Sequence, residues 1–381
     1  MRRVDGSGTS AVEHSGQVSS DEQRRLASVE TITSVNPIDG ADAIEQAKVR
    51  GWTVVVRKGE FSAGDQVLYI EVDAALPLED PRFAFLSARG SREFGGRQVH
   101  VLKTAKLRGV YSQGIVFPID EFPEVISRGA SEVVPVPDGG TGGSTGHPSI
   151  DSVLGIVLYE PPLPVGQLDA VGSFPSWLTK TDAERVQNID PETWDQIQQD
   201  RSAWVPTEKI DGSSLTAWRD SAGVVHVASR NLELSMEADN MWTRAANSEL
   251  SPLAPGQWVQ GEVAGPGIQK NPLALTKVRV FVFGFGTFDA EAPARSTTSR
   301  TPRDAWPLWA AEKAVPVYQG MQLPPSIDET IAQTESVKSI QTPGRGAEGV
   351  VWTHRDGVGI SGLDGRAVFK SLSAKYLLKH S

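Results

Sequence analysis

The chain has 381 residues, a formal net charge of −10 and no cysteine. This length is enough for two or three domains, and without thiols the protein has no disulfide, thiolate zinc site or cysteine nucleophile. The net acidity argues against a general basic coat for nucleic acid but leaves room for a local basic groove, and since no apolar run of about 18 residues occurs we expect no membrane span.

The first part of the chain is rich in strand signals. Residues 1–25 are polar and lack the apolar core of a signal peptide, so we expect a disordered tail. Apolar runs bounded by turn residues then predict five strands, at residues 29–35, 52–57, 66–72, 98–102 and 113–118. With a short helix predicted at 41–47, they favour a small Greek-key barrel of the OB type over residues 26–172.

A second unit is predicted from residue 173 to 381. The Gly-rich stretch at 138–147 reads as a flexible linker within the first unit. Thr181 with Glu184 forms a capping-box pattern, and Asp190-Pro191 reads as an N-cap and first helical residue. Two short helices are therefore expected ahead of the strand that leads to Lys209.

Lys209 precedes Ile210, Asp211 and Gly212, and this Lys-x-Asp-Gly pattern is typical of the nucleophile of covalent nucleotidyltransferases. The alternative is a β-hairpin, because Asp-Gly is also a strong signal for a type I′ turn. A lysine nucleophile must lose its proton, which costs about 4 kcal/mol at neutral pH from the reference pKa. We therefore expect burial or neighbouring cations to lower the pKa of Lys209.

Further motifs follow in a fixed order. They are Ser-Arg-Asn with Arg230, Gly-Glu with Glu262, a strand with Phe281, Phe283 and Phe285, Glu-Gly with Glu348, and a strand ending in Lys370. The three phenylalanines alternate, so we expect their rings on one face, where a purine could stack or a core could form. Each motif alone fits a turn or a solvated face, but together their order favours one active site.

These motifs resemble those of the covalent nucleotidyltransferase superfamily of polynucleotide ligases and capping enzymes. The chain is most similar to ATP-dependent RNA ligases of the Deinococcus-type group, which carry an OB domain ahead of the transferase domain. The resemblance rests on residues 180–188, 207–212, 261–269, 348–351 and 369–379. It implies an α+β protein, in which the OB-type barrel precedes an ATP-grasp-like ligase adenylylation domain of antiparallel sheets with flanking helices.

The resemblance also implies roles for single residues. Lys209 becomes adenylylated by ATP, Glu208 helps to hold the adenine, and Phe283 stacks on it. The nucleotide site further includes Asp211, Gly212, Arg230, Glu262, Glu348, Lys370 and Lys375. Asp211, Glu262 and Glu348 would hold Mg²⁺ or Mn²⁺, and Lys370 would neutralise the α-phosphate. Some relatives carry a second lysine two residues after the strand-end lysine, where this chain has Leu372, so Lys375 is a candidate for that phosphate contact.

The expected activity is the sealing of 3′-hydroxyl and 5′-phosphate ends in RNA or an RNA-containing duplex, in the repair of RNA nicks, by a cytoplasmic monomer. Two rivals are a capping guanylyltransferase and a DNA ligase, which usually place an OB domain after the transferase domain, whereas only 11 residues follow Lys370 here. Another rival is a catalytically silent nucleic-acid-binding protein. Its barrel would bind through basic and aromatic side chains, namely Arg57, Lys58, Lys103, Lys106, Arg108, Trp52 and Tyr69.

Overall fold

The computed structural model of the protein describes residues 24–127, 149–160, 170–293, 298–363 and 365–380. Residues 1–23 of the predicted tail and the whole predicted linker at 138–147 lie outside these ranges. The tail prediction is wrong for Arg24, whose guanidinium forms ion pairs with Glu71 and Asp73. No helix within the described ranges is long and apolar enough to cross a bilayer.

The N-terminal domain is built almost entirely of short strands. The elements are β1 Ala27–Pro37, β2 Ile44–Val49, β3 Trp52–Arg57, β4 Gln66–Ile70, β5 Ala74–Pro77, β6 Arg92–Phe94, β7 Arg97–Val101, β8 Ala105–Leu107, β9 Val110–Ser112, β10 Ile115–Pro118, α1 Pro123–Ile126, α2 Ile150–Leu154 and β11 Val157–Leu158. A five-stranded sheet has the order β10-β4-β1-β2-β3, a four-stranded sheet has the order β11-β5-β7-β6, and β8 pairs with β9 in a separate hairpin.

Alternate side chains of β4 pack into two different cores of this domain. Val67 and Tyr69 pack into one core, while Leu68 and Ile70 pack into a second core on the other face of the strand. Because successive side chains of a strand point to opposite faces, one apolar run serves two layers. Strands were therefore predictable here from the apolar runs.

The helix predicted at residues 41–47 is wrong. β2 occupies this part of the chain and pairs antiparallel with both β1 and β3. Ala47 and Val49 are fully buried at alternate positions, a spacing that suits a strand rather than one face of a helix.

The second domain contains two sheets. The elements are β12 Ala170–Ser173, β13 Glu184–Arg185, α3 Pro191–Gln199, β14 Trp204–Glu208, β15 Ser213–Arg219, β16 Val225–Ala228, β17 Leu232–Leu234, α4 Met241–Glu249, β18 Gln257–Ala264, β19 Arg279–Thr287, β20 Ser299–Arg300, α5 Leu308–Ala311, α6 Ile327–Ser336, β21 Gly349–His354, β22 Val368–Leu372 and α7 Ala374–His380. A seven-stranded sheet has the order β12-β17-β16-β15-β18-β19-β20, and a four-stranded sheet has the order β13-β22-β21-β14.

Two apolar cores hold these sheets to their helices. The larger core lies between the seven-stranded sheet and α4, with Trp242 and Leu250 packed against Val259 and Val282. The second joins α3 and the four-stranded sheet through residues such as Trp352. The fold is thus α+β, as predicted, and among the named strands of the described residues every pair is antiparallel except β13 with β22. The boundary predicted between residues 172 and 173 falls inside β12, which pairs with β17.

One of the two helices predicted ahead of Lys209 is present. Asp190 caps α3 by accepting a hydrogen bond from the Thr193 backbone N–H, as its position before Pro191 suggested. No α-helix begins at Thr181, whose hydroxyl instead lies 3.2 Å from the Ser214 hydroxyl. The following residues form β13, because parallel pairing with β22 satisfies their backbone.

The two domains meet along a tight seam. The Trp52 indole N–H donates to Asn188 Oδ1 at 2.6 Å, and the Gly51 N–H donates to the Gln187 carbonyl at 3.1 Å. A Cβ at Gly51 would lie 2.8 Å from Gln187 Cα and 3.0 Å from Ile327 Cγ2. Residue 51 must therefore be glycine for the backbones to approach this closely.

Candidate active site

Lys209 lies where the chain crosses from one sheet to the other. β14 of the four-stranded sheet ends at Glu208, and β15 of the seven-stranded sheet begins at Ser213. The Lys209 backbone N–H donates to the Gly349 carbonyl at 3.0 Å, which fixes the lysine beside the start of β21. The nucleophile candidate therefore sits in the cleft between two sheets.

The hairpin alternative for Asp211-Gly212 is wrong, since the strands before and after it belong to different sheets. Gly212 is also not among the glycines with positive φ that a type I′ turn needs. Its small size matters instead, because a Cβ there would collide with the Val263 carbonyl oxygen and lie 2.9 Å from Glu262 Cγ. The glycine lets this crossing pass directly against β18.

Carboxylates surround the Lys209 amine. Nζ lies 2.9 Å from Oε2 and 2.9 Å from Oε1 of Glu348. Burial alone would lower the pKa of Lys209, but the charges of Glu348 and Glu262 outweigh it and hold the pKa above its ordinary value. The expectation of a lowered pKa is thus wrong for the protein without ligands, in which the amine is a paired ammonium.

Desolvation acts strongly on the carboxylates themselves. Burial raises the pKa of Glu262 to about 8 despite the nearby Lys209 ammonium. Burial also raises the pKa of Glu348, again against the attraction of Lys209. The site therefore holds more carboxyl groups than the single Lys209 ammonium can neutralise. A further cation would favour the ionised forms of these carboxyl groups.

Asp211 is held by the last helix. The Tyr376 hydroxyl on α7 donates to Asp211 Oδ2 at 2.8 Å, and the Tyr376 ring stacks on His380 with 4.2 Å between ring centroids. The repulsion of Asp211 contributes to the raised pKa of Glu262. Asp211, Glu262 and Glu348 are therefore brought into one electrostatic cluster.

No group of three Asp, Glu or His side chains within the described ranges is close enough to hold a metal ion directly. The three predicted carboxyl groups fit an ion bound through water, because they are partly buried and the other two add to the repulsion that raises the pKa of Glu262, so that a cation would favour their ionised forms. Mg²⁺ commonly keeps several waters and binds through one or two carboxylates. The donor set is compatible with a hydrated divalent cation.

Glu208 has contacts of its own inside the protein. Its side chain is 1% exposed and accepts hydrogen bonds from the Ser339 hydroxyl and from the backbone N–H groups of Ile340 and Gln341, the last two at 2.8 and 3.1 Å. This carboxylate orders the loop between α6 and β21. Its contact with adenine stays a prediction.

The aromatic strand is interrupted by a bulge. Gly261 pairs with Val282 and Gln260 pairs with Gly284, so Phe283 has no partner on β18. Phe281 and Phe283 pack near Ile210, whereas Phe285 joins the core under the seven-stranded sheet. The prediction of three rings on one face is wrong, because the extra residue reverses the alternation. Phe283, half-buried beside the lysine loop, remains the candidate for stacking on a base.

The predicted cations are spread around the cleft. Arg230 is half-exposed and bound by Asp182, with 2.8 Å from Nη2 to each carboxylate oxygen. Lys370 lies on β22, where burial lowers its pKa to about 7 against the attraction of Asp182. Lys375 is exposed on α7. The structure thus brings Lys370 close to Lys209, whereas Arg230 already has a carboxylate partner.

Arg185 was missed by sequence reasoning. It pairs across β13 and β22 with Lys370 and is only 5% exposed. Its Nη2 contacts Asp73 of the first domain at 2.7 Å, while Nε and Nη1 are buried without a hydrogen-bond partner. Buried donors without partners are costly, so they suit an anion that enters the cleft. The only sequence signal was its place in the lead-in segment 180–188.

Solved structures with the same architecture exist. A Naegleria gruberi RNA ligase mutant in its apo form has a TM-score of 0.73 and 30% sequence identity, covering 93% of this chain and 98% of that chain. The chain belongs to the RNA ligase family. Mutants of the same N. gruberi RNA ligase solved with AMP and Mn and with ATP and Mn are also 30% identical, with TM-scores of 0.73 and 0.72. These cover 94% and 93% of this chain and 99% of theirs.

Family models agree with the two-domain division of this RNA ligase. An OB-fold domain model matches residues 26–119, and an RNA ligase model matches residues 202–372. No curated protein sequence matches the chain significantly. The RNA ligase match contains Lys209, Asp211, Glu262, Glu348 and Lys370, while Arg185 lies before its first residue.

Proposed function

We propose that this RNA ligase uses ATP to join a 3′-hydroxyl end to a 5′-phosphate end through a lysyl-AMP intermediate on Lys209. The observation that carries the proposal is the position of Lys209 at the crossing between the two sheets, facing Glu348 at 2.9 Å and near the partly buried Glu262. N. gruberi RNA ligase structures with ATP, AMP and pyrophosphate support the choice of nucleotide.

Three transfers complete the reaction. The Lys209 amine attacks the α-phosphorus of ATP, loses a proton, and displaces pyrophosphate as the bond between the α-phosphorus and the bridging oxygen breaks. A 5′-phosphate oxygen then attacks the same phosphorus, which releases the lysine and leaves a 5′-5′ adenylylated strand. Finally the 3′-hydroxyl attacks the 5′-phosphate, loses its proton and displaces AMP.

The resting ion pair must open before the first transfer. While Glu348 holds the ammonium, the nitrogen has no lone pair for attack, so the carboxylate has to release it. Asp211, Glu262 and Glu348 would hold Mg²⁺ or Mn²⁺ through water, and the ion would supply positive charge for the phosphates. With their charge balanced in that way, the carboxylates would no longer raise the pKa of Lys209.

Cations of the chain complete the phosphate site. Lys370 and Arg185 are neighbours across the two paired strands, where Arg185 is buried between the domains and Lys370 is partly exposed. Phosphate oxygens would accept hydrogen bonds from Nε and Nη1 of Arg185, which have no partner among the described residues. Their negative charge would also favour the protonated form of the Lys370 amine. Phe283 would stack on the adenine, and Arg230 would contact ribose or nucleic acid after leaving Asp182.

Whole-protein mass after incubation with ATP and Mg²⁺ tests the proposal. We expect a gain of one AMP in the wild type and none in Lys209→Ala, while Lys313→Ala, which removes a lysine of equal side-chain exposure that pairs with Glu249, should label normally. Labelling by GTP alone would favour a capping guanylyltransferase, and labelling with no nucleotide would indicate a silent binding protein. Sealing of a nicked duplex with RNA on the 3′-hydroxyl side completes the test. The monomeric state, the cytoplasmic location and the role in RNA nick repair are proposed with it.

A further inference from the structure

The β8–β9 hairpin of the first domain lies in a basic segment of the chain. Between Glu93 and Asp120 the chain has no acidic residue but contains Arg97, Lys103, Lys106 and Arg108. This is unusual in a chain with 47 acidic and 37 basic residues. Lys103, Lys106 and Arg108 are all exposed, and no ion pair with an acidic residue engages them within the described ranges.

The hairpin carries Lys106 and Arg108, and Lys103 lies two residues before it; all three side chains are exposed. Lys106 pairs directly opposite Tyr111, and its ammonium lies 4.8 Å from the centre of the Tyr111 ring. Arg108 and Gly109 form the tip with φ of 47° and 88°, the combination that a type I′ turn requires. Asparagine is favoured at the position of Arg108, since longer side chains are strained there. Arg108 at the tip of the hairpin therefore has a locally strained backbone.

Both ends of the hairpin are anchored beside the active-site cleft. Before it, the Leu102 carbonyl accepts a hydrogen bond from the Asp73 N–H at 2.8 Å, and Asp73 contacts Arg185. After it, the Gln113 N–H donates to the Thr53 carbonyl at 2.9 Å, next to Trp52, whose ring lies under the Arg185 guanidinium at 5.5 Å. The hairpin is therefore anchored at the same contact between domains that holds Arg185 and Lys370.

The other side chains of the barrel that were predicted to bind nucleic acid are either buried or distant from the hairpin. Trp52 is 0% exposed and Tyr69 is 1% exposed, so neither ring can stack on a base. Arg57 is at the far end of β3, roughly 16 Å from Trp52 at about 3.3 Å per residue. Among these features, the hairpin alone combines exposed, unpaired cations with a position beside the cleft.

We infer that the β8–β9 hairpin binds the sugar-phosphate backbone of the RNA duplex next to the break, and so holds the ends against Lys209. The inference rests on the proposed ligase function. Three cations without base-reading side chains suit a contact that depends on charge and shape rather than sequence. This assigns the duplex contact to one element of the first domain.

Equilibrium binding of a nicked RNA duplex at several salt concentrations tests the assignment. The variant Lys103→Ala/Lys106→Ala/Arg108→Ala should bind about 10- to 100-fold more weakly near 0.1 M salt, and the slope of log K against log salt should fall by about 2 to 3. The charge-keeping variant Lys103→Arg/Lys106→Arg/Arg108→Lys should bind like the wild type. Arg89→Ala/Arg201→Ala/Arg355→Ala removes three exposed charges elsewhere and should bind normally.

Mass labelling with ATP separates the two proposals. The hairpin variant should still gain one AMP, because the hairpin does not touch Lys209. Normal labelling with unchanged affinity and salt slope would overturn the hairpin assignment while leaving the ligase proposal intact. Loss of labelling in the hairpin variant would also overturn it, because the hairpin would then serve the first transfer or the fold. Absence of labelling in the wild type would instead overturn the ligase proposal.

Discussion

The ion pair between Lys209 and Glu348 gives the sharpest prediction. Glu348→Gln removes the nearest negative charge from the amine while keeping the shape of the side chain. At 2.9 Å the attraction is about 6 kcal/mol for an effective dielectric constant of about 20. Solvent near the partly exposed Lys209 roughly halves this, which leaves about 3 kcal/mol and a fall in the Lys209 pKa of about 2.

Competitive acylation measures this change without nucleotide or metal. The extent of Lys209 modification is read by peptide mass spectrometry from pH 7 to pH 12, and its midpoint should move to lower pH in Glu348→Gln. A matched control is Glu249→Gln, which breaks a Lys–Glu pair of similar exposure with Lys313. A midpoint that stays in place or rises in Glu348→Gln would show that Glu348 does not hold the resting ammonium.

Two other perturbations follow from burial at the seam. Since burial lowers the pKa of Lys370 to about 7, ATP binding near pH 8 should take up protons; calorimetry in buffers of different ionisation enthalpy should detect this, and Lys370→Met should abolish it. Without ligand, the unfolded chain holds that proton more tightly, so protonation of Lys370 destabilises the fold below about pH 7, and the stability should rise as pH increases from about 7 to about 10. Equal proton uptake by Lys370→Met would contradict this assignment. Gly51→Ala places a Cβ 2.8 Å from Gln187 Cα and should cost about 1 to 3 kcal/mol, lowering thermal stability and slowing nick sealing more than AMP labelling. Gly172→Ala, whose Cβ would meet nothing within 4 Å, is the control, and equal behaviour of the two variants would refute the close approach.

Many strands and one helix could be predicted from the sequence, because residues close together in the chain determine their burial pattern and their capping. Alternating burial along strands such as β3 and β4 is visible in the apolar runs, and the N-cap at Asp190 is set by neighbouring residues. The order of motifs from Lys209 to Lys370 also identified the elements that line the cleft. These inferences needed no knowledge of which strands pair.

The errors came from long-range pairing. Asp211-Gly212 looks like a turn, but its flanking strands are recruited by different sheets. Phe285 leaves the face of Phe281 because β18 and β19 share a bulge, which depends on both strands. Arg185 has an ordinary sequence context, and its contacts with Lys370 on β22 and with Asp73 of the other domain appear only in the fold.

The parallel pairing of β13 with β22 bears on how the enzyme can be divided for experiments. The segment that matches the RNA ligase model begins at residue 202, after the strand that holds Arg185 against Lys370. A catalytic fragment started there would leave one edge of β22 without its partner, and a bare edge invites pairing between molecules. A fragment that begins ahead of Ala170 would keep β12 on β17 and β13 on β22.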